Sequence, residues 1–377
     1  MNYQPRSLSS LHHSALALVL GLAFSYAPAQ AAQYRVVTYP NASLATAVHG
    51  INDNSEVVGG FTHADTSTHA MLWTKTGSVD LGILGCPVAN RMGCGAVARA
   101  VNNNKQIAGH SHTDAGRWYQ YYPHSFLWEN GQMRAITTVG NEWNYAYDIN
   151  KSGVIAGFGR DTFNYSYTNV GYVWVNNQRV ITIGNFGGNR SSMANAINNR
   201  NQVVGCASSS DGGQKAFLWQ DNSAVLGQNP QLTNLGTLGG LYSCAQDINN
   251  LGHIVGAADI NSTSKHAVLW KNGQIVDLGT IGNIHDYSRA VAINDLGQII
   301  GDFDSRDEVC TPPFACQFQS VIRHFVWENG VMKDVNSLIV DNRKIKIVEF
   351  GGINNKGEIS ARGTVNNQQQ LIVLVPM

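Results

Sequence analysis

Seven times along the chain an Ile or Val followed by Asn leads into a turn: Ile51-Asn52, Val101-Asn102, Ile149-Asn150, Ile197-Asn198, Ile248-Asn249, Ile293-Asn294 and Ile353-Asn354. The copies lie about 50 residues apart, a period that belongs to repeat architectures such as propellers and solenoids. Each continues into an apolar stretch with a Gly (Gly59, Gly109, Gly157, Gly205, Gly256, Gly301), replaced by Ala361 in the last, and then into a Trp strand at Trp73, Trp128, Trp174, Trp219, Trp270 and Trp327. A polar turn follows each Trp, and at Asn130-Gly131, Asn272-Gly273 and Asn329-Gly330 it is Asn-Gly. That pair suits a type I′ hairpin, whose two central residues both need positive φ. A repeat therefore reads as four short antiparallel strands, and helical periodicity is absent from the repeats.

Four strands in about fifty residues, repeated to the end, predict an all-β chain folded as a seven-bladed β-propeller of four-stranded blades. The seventh copy supplies three strands (351–354, 358–361, 371–375), while an orphan strand, 34–38, precedes the first copy. Pairing the two closes the ring and removes a free sheet edge. The predicted organisation is a leader over 1–31 and a single propeller over 32–377, with no length left for a second domain.

The ordered set A-x-x-I-N, apolar-apolar-Gly, H-A-F-L-W and D-L-G-T-L-G-G resembles the bacterial extracellular HAF-repeat family. It is carried here by His69-Ala70-Met71-Leu72-Trp73, His266-Ala267-Val268-Leu269-Trp270 and Leu235-Gly236-Thr237-Leu238-Gly239-Gly240. The resemblance spans the chain after the leader and implies export and a repeat fold, without implying a catalytic residue. The copy that ends in Trp219 carries Lys215 in place of the repeat His, which argues against a common ligand there. The repeat histidines read instead as hydrogen-bonded core or inter-blade groups, and each Trp as the filler between neighbouring sheets.

The leader has Arg6 in its basic region, an apolar run from Ala15 to Phe24 and an Ala29-Gln30-Ala31 cleavage signal, so a secreted or periplasmic protein is expected. The run is too short to span a membrane, and membrane insertion is not expected. With 25 basic and 25 acidic residues and no Lys/Arg run, the chain lacks the electrostatic footprint of a nucleic-acid binder. A hydrophobic fraction of 43% excludes a disordered chain. The six cysteines predict disulfides in an oxidising compartment, paired Cys86 with Cys94, Cys206 with Cys244 and Cys310 with Cys316, all stapling one face.

Function is sought where the repeat symmetry breaks. Two residues before each Ile/Val-Asn the side chain changes every time: His49, Arg99, Tyr147, Asn195, Gln246, Val291 and Gly351. Small neighbours such as Gly50, Ala100, Ala196 and Ala292 set these off, and the series is expected to ring the channel mouth near the start of each inner strand. Arg99 would neutralise a uronate carboxylate while His49 and Tyr147 exchange protons, the set a polysaccharide lyase needs. Trp118, Tyr119, Tyr121, Tyr122, Trp143 and Tyr145 offer flat apolar faces on which a pyranose can stack. Asp302, Asp304 and Asp307, with Glu308, form an acidic loop that could take Ca²⁺, although the EF-hand order is missing. His110 and His112 share one strand face without a third zinc ligand. No nucleophile elbow or phosphate-binding loop is present, and no other cofactor is expected. The reading is a monomeric binding or adhesion module for a glycan or surface polymer, with a polysaccharide lyase and a protein-interaction scaffold as alternatives.

Overall fold

The computed structural model describes residues 32–377 except 65, 86–94, 114–121, 137, 140–142, 162–167, 176–178, 189–190, 224, 283–286 and 310–316, and leaves out the side chains of 44, 161, 306–309 and 317–320. Seven four-stranded antiparallel sheets form a ring, a seven-bladed β-propeller. In each blade the first strand of the repeat is innermost: Ala45–Ile51, Ala96–Val101, Trp143–Ile149, Ser192–Ile197, Ser243–Ile248, Ser288–Ile293 and Ile345–Ile353. Blade seven is completed by Tyr34–Thr38, which pairs antiparallel with Gln368–Pro376 from Tyr34 opposite Pro376 to Thr38 opposite Ile372.

Seven apolar clusters hold the molecule, each lying between two neighbouring sheets. The repeat Trp sits in the third strand of its blade and faces the preceding blade. Trp73, Trp174, Trp219 and Trp270 are buried, while Trp128 and Trp327 are half-buried against their clusters. Ile299 pairs with Trp327 in blade six, and in blade seven Ile359 pairs with Leu374, so a Leu stands where the Trp is due. Fully buried Tyr34, from the closing strand, joins Leu374 in that cluster and supplies the missing aromatic volume.

The repeat Asn explains the turn that follows it. Asn198 Oδ1 accepts from the backbone N–H groups of Arg200 and Gln202, both at 3.0 Å, and Nδ2 donates to the Asn249 carbonyl of the next blade at 3.0 Å. The forward bond recurs at every seam, from Asn52 to Asn102, Asn150, Asn198, Asn249, Asn294 and Asn354 in turn and back to Asn52, at 2.9–3.1 Å. The result is a closed ring of seven buried amides at one end of the axis.

The repeat Gly answers a close approach rather than a positive φ. A Cβ at Gly205 would fall 1.9 Å from the Met193 carbonyl, and at Gly59 2.1 Å from that of Ala47. Asn-Gly turns have the predicted left-handed pair, with φ 53° at Asn130 and 81° at Gly131.

Candidate functional site

Each inner strand carries a register shift beside its variable position: Arg99 falls between Ala98 and Ala100, Tyr147 between Ala146 and Asp148, Asn195 between Ala194 and Ala196, and Gln246 between Ala245 and Asp247. A bulge adds one residue without a partner across the ladder and re-aims the side chains around it. Here it turns the variable residue and its successor toward the axis. Arg99, Tyr147, Asn195, Gln246, Val291 and Gly351 line one axial cavity of about 230 Å³. His49 does not line it, and all of these residues lie in the middle or second half of their strands rather than near the start.

Two more residues face the same cavity, Asp148 and Asp247, at a position that is Gly or Ala in the other blades. Asp148 accepts from the N–H groups of Ile149 and, one blade on, Ile197, each at 2.8 Å. Asp247 repeats this with Ile248 at 2.7 Å and Ile293 at 2.8 Å, so each carboxylate bridges two blades. Burial pushes the Asp148 carboxyl up despite these bonds. It pushes Asp247 up to about 7, opposed by the Ile293 bond and reinforced by the Asp148 charge. Neither was a candidate in the sequence. The signal available was an acid in two repeats where the rest keep small residues.

Arg99 is the centre of the opposite charge. Its guanidinium lies over the Tyr147 ring, 5.3 Å from the centroid. It makes no ion pair among the described residues, and its buried Nε has no hydrogen-bond partner. Burial, then the Arg99 and His110 charges, push the His49 imidazole down to about 3. Burial, then Arg99 and His112, do the same to His110, whose buried Nδ1 is also unpartnered. Both imidazoles are therefore neutral at neutral pH, and Arg99 carries the positive charge of the cluster.

An aromatic stripe leads to it. Trp143, Tyr145 and Tyr147 alternate along Trp143–Ile149 with buried Asn144 and Ala146, so they share one half-buried face. Tyr145 contacts His110 at 4.8 Å and Phe158 at 5.3 Å between ring centroids, and Phe158 stacks on Tyr147 at 5.6 Å. Trp143 lies 6.1 Å from Tyr122 and under Arg160 at 4.9 Å. Trp118, Tyr119 and Tyr121 lie outside the described residues.

The remaining candidates separate. Asn195 donates to the Ala245 carbonyl of the next blade at 2.8 Å and so serves the seam as well as the cavity, whereas Gln246 donates to Cys244 Sγ at 3.5 Å within its own strand. Cys206 and Cys244 form the expected disulfide between blades four and five; Cys86, Cys94, Cys310 and Cys316 lie outside the described residues. The acidic segment of blade six is a strand, Ile299–Val309, not a loop. Asp302 accepts from Arg289 at 2.6 Å and His324 at 2.9 Å, so its oxygens serve an internal pair rather than an open Ca²⁺ site. Burial raises its pKa, but the His324 and Arg289 bonds outweigh that and hold it below the usual carboxylate range. Alternation puts Asp304 on the same face, and the Asp307 side chain lies outside the described residues. His112 is committed to the Gly95 carbonyl at 2.9 Å. Of the repeat histidines, His69 and His266 bond Asp80 and Asp277 within their own blades, not between blades.

The DUF3466 family, described as a protein of unknown function, matches residues 144–373, more than half of the chain. The chain belongs to the DUF3466 family. The match begins inside the aromatic inner strand of blade three and runs through blade seven. Comparison of this DUF3466 chain with curated proteins finds no match. Among solved structures it is similar to TolB from Acinetobacter baumannii, at 11% identity and a TM-score of 0.43 over 86% of this chain and 64% of that one. It is also similar to Trypanosoma rangeli sialidase in complex with 2,3-difluorosialic acid, at 10% identity and a TM-score of 0.38 over 90% and 54%. The chain spans less than two thirds of the length of either. Among the described residues no helix is long and apolar enough to cross a membrane.

Proposed function

We propose that this chain is an exported binding module whose ligand is an anionic glycan or surface polymer held at blades one to three. The observation that carries the reading is Arg99, a cation with no ion pair among the described residues, set over Tyr147 at the inner end of an aromatic stripe. A carboxylate, sulfate or similar group on the ligand supplies the missing charge-assisted bonds, and Tyr145 and Trp143 offer faces for the rings behind it. The cavity, at about 230 Å³, is smaller than the ~300–1,000 Å³ of sites that enclose a small ligand. It suits a side group or a chain end, with the rest of the polymer on the rim.

The lyase alternative uses the same residues. A base held near 3 is far from the working pH at which proton abstraction is efficient, so His49 favours binding over catalysis. Export rests on the leader and is supported by the Cys206–Cys244 disulfide, which belongs in an oxidising compartment.

Size-exclusion chromatography with uronate and neutral polysaccharides tests the reading. The protein is expected to move into the uronate peak while the polymer keeps its length, and Arg99→Ala should weaken binding about ten- to a hundredfold, the loss of one charge-assisted bond at ~1.5–3 kcal/mol. Shortened polymer would install the lyase instead. Failure to bind any anionic polymer, or an Arg99→Ala protein that binds as before, sinks the proposal.

A further inference from the structure

Away from the axis, on the outer half of blade one, His63, His69 and Asp80 point their ligand atoms at one another within 4.8 Å. We propose that these three residues form a binding site for a divalent transition metal, with Zn²⁺ the reference ion.

Two of the three belong to the repeat. His69 Nδ1 lies 2.8 and 2.9 Å from the Asp80 oxygens, and in blade five His266 Nδ1 lies 2.9 and 3.0 Å from those of Asp277. In both blades the pair ties the third strand to the outer strand beside a register shift. A His–Asp pair on its own is therefore scaffold. Blade one adds a third group. His63 follows Val57–Thr62 directly, and the matching residue after Ile254–Asp259 in blade five is Ile260. His63 Nε2 is buried with no hydrogen-bond partner among the described residues, 3.4 Å from Asp80 Oδ2. Its ring meets that of His69 at 4.1 Å between centroids and 47°.

The donor set decides the ion. Two imidazoles and one carboxylate suit Zn²⁺, Cu²⁺ or Ni²⁺ rather than the all-oxygen shells of Ca²⁺ and Mg²⁺. Tetrahedral ligands on bonds of ~2.0–2.1 Å stand about 3.3 Å apart, close to the spacing of His63 Nε2 and Asp80 Oδ2. The side chains of His63, His69 and Asp80 are 35%, 24% and 43% exposed, so a fourth position is open to water or to a donor from outside the chain. Three protein ligands with one open position is the coordination of reactive zinc sites rather than closed structural ones.

The test is titration of untagged protein with Zn²⁺ alone in competition with a chromophoric chelator, followed by Co²⁺ substitution to read the ligand field. One equivalent is expected, with an absorption spectrum of tetrahedral or five-coordinate Co²⁺. His63→Ile, which installs the blade-five residue, should weaken binding by more than the ~10–100-fold that follows loss of an outer-shell partner, and His266→Ala should leave it unchanged. Ile260→His should raise the stoichiometry from one to two. Absence of saturable binding, or one equivalent bound equally well by His63→Ile, overturns the site.

Discussion

Asp247 carries its proton to higher pH in the folded chain than in the unfolded one, and this fixes the direction of its effect on stability. The native state binds the proton more tightly between the ordinary carboxylate range near 4 and its own pKa of about 7. Stability contributed by this group is therefore complete below about pH 4, falls as pH rises through 7, and is lost above it. At ~1.4 kcal/mol for each pH unit of that window, the decline amounts to a few kcal/mol. Denaturant unfolding of Asp247→Ala from pH 4 to 8 should show a flatter profile than the parent; parallel profiles would mean that Asp247 does not hold its proton. Residue-level legibility divides here. The variable series led to the cavity because a position that changes in every copy stands out against a conserved frame within one chain. Asp148 and Asp247 were missed because they fell in a column read as small, and because a strict alternation of two hides the bulge that turns both columns inward.

At the scale of the element, the unit is the turn after the inner strand. Asn198 makes two bonds that shape its own turn, one to Gln202 Oε1 at 2.8 Å and one to the next blade. Asn199, its neighbour, is only half-buried and accepts from Lys151 N–H at 2.9 Å. Asn198→Ala should cost about 2–4 kcal/mol, since it strands two part-buried backbone donors and the buried Asn249 carbonyl, and Asn199→Ala about 1 kcal/mol or less; equal denaturant midpoints would refute the distinction. The turns were readable because their chemistry is local: Asn-Gly requires a left-handed pair wherever it occurs. The acidic segment of blade six was misread as a loop for the converse reason. It holds no Gly or Pro between Asp302 and Val309 to stop a strand, and its charges obscured the alternation that lets Ile299–Val309 run on.

For the whole molecule, closure depends on a seam that differs from the other six. Blades one to six each bring a Trp to the gap before them, whereas blade seven brings Leu374 and borrows Tyr34. Tyr34→Ala removes a fully buried ring whose hydroxyl has no hydrogen-bond partner among the described residues, so the loss is one of packing. A decrease of about 3–5 kcal/mol in unfolding free energy is expected, against a much smaller change for Arg35→Ala on the exposed side of the same strand. Comparable losses from the two would show that the strand closes the ring through its backbone alone. That the ring closes in this way was legible from an orphan strand at one end and an incomplete repeat at the other.

The amide ring has a direction: every repeat Asn gives one side-chain hydrogen forward to the next blade's carbonyl and receives none from behind through that group. Each blade thus presents a plug on one flank and a socket on the other, identical at all seven joints and indifferent to how many units stand between them. Gene duplication can insert or delete a whole unit without redesigning any joint, and the number seven must come from the wedge angle set by the side chains between sheets. A unit inserted back to front would place plug against plug, so the chain can grow by copying in one orientation only.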